Sequence, residues 1–152
     1  MSAQDARDLP AIEIGATFGP RTVHVTRDTL VRYAGASGDF NPIHYRDDAA
    51  RAAGMPGVLA HGMLTMGIAI QPVVDWVAAG DPGRIVDYQA RFTRPVLVDA
   101  EAGADVQLTV AITGIDPVDD GLHAGRRAAT VRITAQFDGH PVLGKAIARV
   151  LL

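Results

Sequence analysis

The stretch Gly62-Met-Leu-Thr-Met-Gly-Ile-Ala-Ile-Gln-Pro-Val-Val-Asp-Trp-Val-Ala-Ala79 decides the fold, because it predicts one long helix that is apolar around its circumference. A helix of that kind is expected to be buried on every side. Gln71, Pro72 and Asp75 interrupt the apolar run and no positive charge flanks it, so a core helix fits better than a membrane span. Pro72 is expected to kink or split the helix.

Beyond Arg84 the apolar residues recur with period two, which predicts strands over 86–92, 106–112, 129–137 and 142–150. An Asp-Gly pair is typical of the tight hairpin expected between the last two strands. Antiparallel strands with one apolar face each pack most simply as a sheet wrapped around the helix, which is an α+β arrangement. The helix side left uncovered and the open sheet edge predict a dimer.

Shorter elements are predicted upstream of the long helix. Alternating apolar and polar residues indicate a short edge strand over 22–26. Thr26 is a favourable N-cap for a helix over 27–36. Asp47 can cap a second short helix over 48–53. The first half of the chain is therefore expected to be mainly helical.

The composition is that of an ordinary globular chain and excludes several classes of protein. The 152 residues suit a single domain, 1–152, and 48% are hydrophobic while 20% are charged. The absence of cysteine excludes disulfide frameworks, thiolate metal sites and a cysteine nucleophile. A net charge of −3 without a run of Lys or Arg argues against nucleic-acid binding. The polar segment 1–8 lacks the apolar core of a signal peptide, so a cytoplasmic protein without membrane insertion is expected.

Chemistry is expected on the segment Tyr33-Ala-Gly-Ala-Ser-Gly-Asp-Phe-Asn-Pro-Ile-His44. Asp39 and His44 stand five residues apart, which on a helix would place them on different faces. Pro42 favours a turn that can bring the carboxylate and the imidazole together around one small molecule. Such a pair can share a water molecule and move its proton, since imidazole titrates near neutral pH. On spacing alone, a turn in which Asp39 binds nearby N–H groups is the simpler interpretation.

A second segment, Ala60-His-Gly-Met-Leu-Thr-Met66, begins the long helix. The first N–H groups of a helix lack intrahelical partners and lie at its positive dipole end. Gly62 has no side chain to obstruct close approach, so its N–H can stabilise negative charge that develops on a carbonyl oxygen. Together with Asp39 and His44, this donor suggests proton transfer beside a thioester carbonyl. That chemistry requires neither a metal nor an organic cofactor.

These segments resemble the signature of the MaoC-like, (R)-specific enoyl-CoA hydratase (hydratase 2) family. The signature is an aromatic residue and small residues followed by Gly-Asp-x-Asn-Pro-x-His, and residues 33–44 match every fixed position. The spacing to Ala60-His61-Gly62 also fits, as does Arg91-Phe-Thr-Arg-Pro-Val96. The resemblance covers nearly the whole chain. Residues 61–68 and 80–83 are most similar to the catalytic B subunit of (3R)-hydroxyacyl-ACP dehydratase.

The resemblance implies a single hot-dog fold, which is a curved antiparallel sheet wrapped around one central helix. It implies a hydro-lyase that interconverts trans-2-enoyl and (3R)-3-hydroxyacyl thioesters of CoA or acyl carrier protein in fatty-acid metabolism, without a cofactor. Asp39 and His44 would be the catalytic pair, and the Gly62 N–H would bind the thioester oxygen. Asn41 would support the turn, and Tyr33 would line the pocket or its support. Members work as homodimers or as heterodimers with a related hot-dog subunit.

Several of these residues have a second interpretation. His61 is expected to bind backbone groups near the helix start, although it can also support the substrate. A metal site built from Asp39, His44 and His61 is disfavoured, because their spacing fits no familiar ligand pattern. The apolar residues of the long helix are core, and some of them can line an acyl tunnel: Met63, Leu64, Met66, Ile68 and Ile70.

The sequence leaves other classes of function open. A non-catalytic hot-dog subunit could bind an acyl chain or stabilise a catalytic partner, but the intact Asp39 and His44 argue against it. Thioester hydrolysis is a third and weaker alternative. The sequence does not determine the carrier, the acyl chain length, the physiological direction, or the acid and base roles of the two side chains. Five arginines could contact a carrier phosphate, although solvated strand faces are the simpler interpretation: Arg84, Arg91, Arg94, Arg126 and Arg127.

Overall fold

The computed structural model describes residues 9–119 and 121–152, which form an antiparallel sheet and three α-helices. The polar segment 1–8, from which the absence of a signal peptide was predicted, lies outside the described residues. The helices are α1 (Arg27–Ser37), α2 (Asp47–Ala52) and α3 (Gly62–Asp75). The strands are β1 (Thr17–Val25), β2 (Ile85–Phe92), β3 (Ala104–Pro117), β4 (Arg127–Phe137), β5 (His140–Pro141) and β6 (Leu143–Leu151).

The sheet wraps around α3. Its strands follow the order β1-β3-β4-β6-β2, β5 pairs with β4, and every pairing is antiparallel. Helix α3 packs against β1, β2, β3, β4 and β6. The predicted α+β hot-dog fold is therefore confirmed.

The central strands bury the apolar face that the period-two pattern predicts. Val106, Leu108, Val110 and Ile112 of β3 are each at most 1% exposed. Burying one such side chain stabilises the folded state by about 1.5–3 kcal/mol relative to exposure. The hairpin prediction also holds, since β4 turns into β5 across Asp138-Gly139, where both residues have positive φ angles of 50° and 72°.

The first helix begins where the sequence predicts and the second does not. The Thr26 side chain accepts a hydrogen bond from the Thr29 N–H, and the Thr29 hydroxyl oxygen accepts one from the Thr26 N–H. Helix α2 begins at Asp47, so the prediction that Asp47 caps this helix is wrong. Its carboxylate instead accepts hydrogen bonds from the guanidinium of Arg27 at 3.1 and 3.2 Å. The Arg27 partner lies in another element, so local sequence could not reveal it.

Helix α3 is not split at Pro72, and it ends at Asp75 rather than at residue 79. After Asp75 the Gly80 N–H donates to the Val74 carbonyl, and Ala79 adopts a left-handed φ of 52°. The apolar character nevertheless continues, because Trp76, Val77 and Ala78 are at most 3% exposed. The apolar residues after Asp75 are therefore buried without being part of the helix.

One side of α3 is uncovered, as the sequence predicts, and two apolar residues of the edge strand β2 are exposed. Met63 is 59% exposed, and Gly67 and Gln71 are exposed on the same side of α3, so the helix is not covered all round within one chain. In β2, register irregularities accompany the outward placement of Val86 and Phe92, which are 41% and 51% exposed. None of the helices in the described residues is long and apolar enough to cross a membrane.

Candidate active site

The loop between α1 and α2 is built from side chains that bind their own backbone. The Ser37 hydroxyl accepts from the Asp39 N–H at 3.2 Å, and the Asp39 Oδ1 atom accepts from the Asn41 N–H at 3.2 Å. The Asn41 Oδ1 atom then accepts from the Ile43 N–H at 3.3 Å. Each acceptor lies two residues before its donor, which is the short-range chemistry that Ser, Asp and Asn favour. Pro42 begins a single helical turn that ends at His44.

This loop directs Asp39 and His44 towards each other. The His44 Nε2 atom lies 4.0 Å from the Asp39 Oδ2 atom. His44 is 7% exposed, whereas the Asp39 side chain is 52% exposed. The carboxylate of Asp39 is therefore accessible to solvent, whereas the imidazole of His44 is buried.

The segment before α3 fixes the tautomer of His44. The Nδ1 atom of His44 lies 2.7 Å from the carbonyl oxygen of Leu59, and since a carbonyl can only accept, Nδ1 carries the hydrogen. In the neutral ring Nε2 then presents a lone pair towards Asp39. The Leu59 carbonyl is held because the neighbouring residues bond to another segment. The Ala60 N–H donates to the Val96 carbonyl and the Val98 N–H donates to the Val58 carbonyl.

His61 and Tyr33 lie directly behind the pair. The ring of His61 stacks on that of His44 with centroids 3.8 Å apart and an interplanar angle of 23°. The ring of Tyr33 meets the ring of His61 at 4.9 Å in a tilted arrangement. Burial lowers the pKa of His61 from its usual value, because the charged form loses its hydration. Burial therefore favours the neutral form of His61.

A cavity of about 290 Å³ adjoins His44 and Gly62. Gly62 is the first residue of α3, so its N–H has no intrahelical partner. A Cβ atom at position 62 would lie 3.2 Å from the ring of Phe92, which explains why a glycine suits this position. The remaining lining residues are mainly apolar: Leu59, Ala60, Thr65, Phe92, Thr93, Arg94, Pro95, Val96 and Val142.

Asp39, His44 and His61 could be considered as metal ligands, because one candidate ligand atom of each lies within 4.8 Å of the others. An imidazole binds a metal through a lone pair in the plane of its ring, at about 2.1 Å. The rings of His44 and His61 are stacked and nearly parallel, so their planes do not meet at such a distance. The arrangement of the three residues therefore does not favour a metal.

The structure brings together all six residues singled out from the sequence: Tyr33, Asp39, Asn41, His44, His61 and Gly62. It does not place the helix residues suggested for an acyl tunnel in the cavity, because the residues of α3 that line the cavity are Gly62 and Thr65. Of the five arginines, Arg94 lines the cavity, whereas Arg126 donates to the Leu152 carbonyl.

Sequence reasoning missed two groups that arrange the pair. A serine two residues before Asp39 is a readable signal for the Ser37 turn. Leu59 acts through its carbonyl oxygen, and a main-chain group leaves no signal in the residue type.

Comparisons with known proteins agree with this geometry. The family model described as "MaoC like domain" matches residues 11–132. The 3-hydroxyacyl-thioester dehydratase X of Mycobacterium tuberculosis is 41% identical over 81 residues, which are 53% of this chain and 27% of the relative. The chain thus matches about a quarter of the length of that relative.

Solved structures show the same fold. A MaoC-like dehydratase superposes with a TM-score of 0.82 and 35% identity over 95% of this chain and 41% of its own. The HadBC (3R-hydroxyacyl-ACP dehydratase) complex of Mycobacterium tuberculosis gives a TM-score of 0.70 at 22% identity, covering 91% of this chain and 96% of the other. The second likeness shows the fold alone. Because the family model covers most of its length, the chain belongs to the MaoC-like domain family.

Proposed function

We propose that the chain catalyses the reversible, (R)-specific addition of water to a trans-2-enoyl thioester. The observation that carries the proposal is the placement of Asp39 and His44 4.0 Å apart, with His44 lining a cavity that Gly62, the first residue of α3, also lines. The relative named 3-hydroxyacyl-thioester dehydratase X supports the same reaction class, since dehydration is the reverse of this hydration.

The separation of the pair suits a single reacting water. A water oxygen about 2.8 Å from both His44 Nε2 and Asp39 Oδ2 would complete two hydrogen bonds of ordinary length. His44 can accept a proton at Nε2 because its Nδ1–H donates to the Leu59 carbonyl. Asp39 Oδ1 is engaged by the Asn41 N–H, which leaves Oδ2 for the water.

In the proposed hydration the water oxygen bonds to the β carbon as the pair takes up one of its protons. The electrons of the double bond shift towards the thioester carbonyl, whose oxygen becomes negative. The Gly62 N–H would donate to that oxygen, where one such donor contributes about 10²- to 10³-fold in rate. The pair then returns a proton to the α carbon, so one water is consumed and no charge remains.

The cavity suggests which part of the substrate lies inside. At about 290 Å³ it accommodates the reacting end of an acyl thioester, and its walls are mainly apolar. Arg94 lines both this cavity and a neighbouring one, which it shares with Pro95 and Val142. The phosphate-bearing arm of CoA or acyl carrier protein would pass Arg94 on its way out of the site, because a guanidinium binds phosphate oxygens.

A second hot-dog subunit is the expected partner. The exposed side of α3, with Met63 and Gly67, and the open edge of β2 with Val86 both leave apolar or unpaired groups in a single chain. A structural neighbour, HadBC, is described as a complex. The partner is a copy of this chain or a related subunit, and a cytoplasmic location remains the expectation.

The test is hydration of crotonyl-CoA, followed by loss of the enoyl absorbance and by chiral analysis of the product. Asp39→Asn and His44→Ala are each expected to abolish measurable turnover, a loss of at least about 10²- to 10⁴-fold. Asp39→Asn is a sharp probe because an asparagine oxygen can still accept from the Asn41 N–H and keep the turn. Near-normal activity in either variant, or an (S)-product, would contradict the proposal.

Assays on the same purified protein distinguish this function from the two alternatives, a thioesterase and a non-catalytic subunit. Release of free thiol from acyl-CoA would instead indicate a thioesterase. No turnover by the wild type alone, together with tight binding of a second hot-dog subunit, would indicate a non-catalytic partner role.

A further inference from the structure

His61 is the most deeply buried polar side chain of the site, with 1% exposure. It stands at the N-cap position of α3, yet its side chain makes no capping hydrogen bond to the helix. The ring instead points back to the loop that carries the catalytic pair. A buried imidazole that does not serve its own helix requires another explanation.

The contacts of His61 fix its protonation. Its Nε2 atom lies 3.1 Å from the carbonyl oxygen of Asp39, so Nε2 carries a hydrogen and donates it. Its Nδ1 atom is buried and has no hydrogen-bond partner among residues 9–119 and 121–152. A hydrogen at Nδ1 would be a buried donor with nothing to bind, so the ring is the neutral tautomer with hydrogen on Nε2 alone.

His61 touches both members of the pair through different groups. It donates to the main chain of Asp39 and stacks on the ring of His44 at 3.8 Å. It also immediately precedes Gly62, which lines the cavity. We propose that His61 is a positioning residue that holds the Asp39 loop against the His44 ring through its Nε2–H and thereby sets the separation of the two side chains. This inference rests on the function proposed above.

The neutrality of His61 is part of the arrangement. When His44 takes a proton from water it becomes cationic, and a second cation stacked at 3.8 Å would oppose that step. A neutral His61 ring does not oppose the protonation of His44. The charged groups facing His61 are Asp39 and, once protonated, His44, and the ring of Tyr33 covers another side.

Three substitutions separate the hydrogen bond from mere filling of space. In His61→Gln the amide nitrogen reaches the position of Nε2, whereas in His61→Asn it reaches the position of Nδ1. His61→Phe keeps a stacked ring without a donor. We expect His61→Gln to retain kcat within about 5-fold, and His61→Asn and His61→Phe to lose at least about 30-fold, since a displacement near 1 Å costs about 10²-fold.

The Michaelis constant distinguishes positioning from substrate binding. His61 is not among the residues that line the cavity, so KM for crotonyl-CoA is expected to stay within about 3-fold in all three variants. Wild-type kcat in His61→Phe, equal losses in His61→Gln and His61→Asn, or an effect confined to KM would each overturn the inference.

A measurement on the wild type tests the inference even if the variants fail to fold. In a nitrogen-15 NMR spectrum at pH 7, His61 is expected to show a protonated Nε2 and an unprotonated Nδ1. The opposite tautomer, or a doubly protonated ring, would overturn the inference irrespective of catalysis. Absence of hydration by the wild type would instead refute the proposed function, and the tautomer would still be measured.

Discussion

Strands β3 and β4 and the loop of residues 37–44 are held in place by different interactions. In the strands, apolar side chains such as Leu108 and Val131 are fully buried, and the ladder of backbone hydrogen bonds is nearly continuous. In the loop, residues 38–43 are mostly exposed, and Ser37, Asp39 and Asn41 bind the N–H groups two residues ahead. The strands depend on burial, whereas the loop depends on local polar geometry.

The residues that stabilise the fold are therefore largely different from those proposed for the reaction. The loop contributes little apolar burial, so its residue types are free to serve the reaction. The sheet supplies the stabilisation and positions α3, whose first residue faces the cavity. Substitutions in the two regions should therefore change different measured quantities.

Among the substitutions that test this separation, the largest expected effect comes from removing one backbone N–H at the start of α3. Gly62→Pro deletes that N–H where a helix tolerates proline, and His61 already has the extended φ and ψ of −57° and 133° that a residue before proline requires. We expect kcat/KM for crotonyl-CoA to fall by about 10²- to 10³-fold with the fold retained. Steady-state kinetics measure kcat/KM, and circular dichroism measures whether the fold is retained.

Gly62→Ala is the matched control for that substitution. It adds a Cβ at the same place, 3.2 Å from the half-exposed ring of Phe92, but keeps the N–H. Its loss should be at least about 10-fold smaller than that of Gly62→Pro. Equal losses in the two variants would assign the effect to crowding and remove the N–H from the mechanism.

A substitution in the strands should have the opposite signature. Leu108 is 0% exposed, so Leu108→Ala leaves a cavity and is expected to lower the free energy of unfolding by about 2–5 kcal/mol. Chemical denaturation measures this change. Below the unfolding transition, kcat per folded molecule should match the wild type, and a proportional fall in kcat would show that the two regions are coupled.

The smallest expected effect lies outside the two regions, at an ion pair between α1 and α2. Asp47 bonds to Arg27, whose Nε–H donates to the Val98 carbonyl, and the Arg27 hydrogen bonds lower the pKa of Asp47. We expect Asp47→Asn to lower Tm by about 1–3 °C at pH 7, in line with a partly exposed ion pair.

The sign of the pH dependence follows from the lowered pKa. The stabilisation is fully present above the unfolded-state pKa of about 3.9 and is lost as the pH falls through the lower folded-state pKa. The difference in Tm between Asp47→Asn and the wild type should therefore be constant near neutrality and shrink in acid. A difference that grows in acid would contradict this assignment of the ion pair.

The geometry of the loop of residues 37–44 could be predicted from the sequence because its hydrogen bonds are local. Asp39, Asn41 and Pro42 act on residues one or two positions away, and the Thr26 cap acts within one helical turn. The period-two strands were predicted for a similar reason, since alternation follows from a buried face in any sheet.

What the sequence did not predict depends on distant partners. The end of α3 at Asp75 is hidden because Trp76 is still core and its indole N–H donates to the Pro10 carbonyl. The outward position of Phe92 depends on the irregular pairing of β2 with β6. The role of Asp47 depends on Arg27, which is twenty positions away.

The contact between the imidazole of His44 and the carbonyl of Leu59 has a consequence for evolution. The group that sets the tautomer of His44 belongs to the peptide unit, and every amino acid at position 59 supplies the same oxygen. Substitutions at position 59 can therefore accumulate without changing which ring nitrogen of His44 carries the hydrogen, provided that the main-chain path is kept. An alanine scan would accordingly overlook the Leu59 carbonyl, which selects the nitrogen that the proposed proton transfer uses.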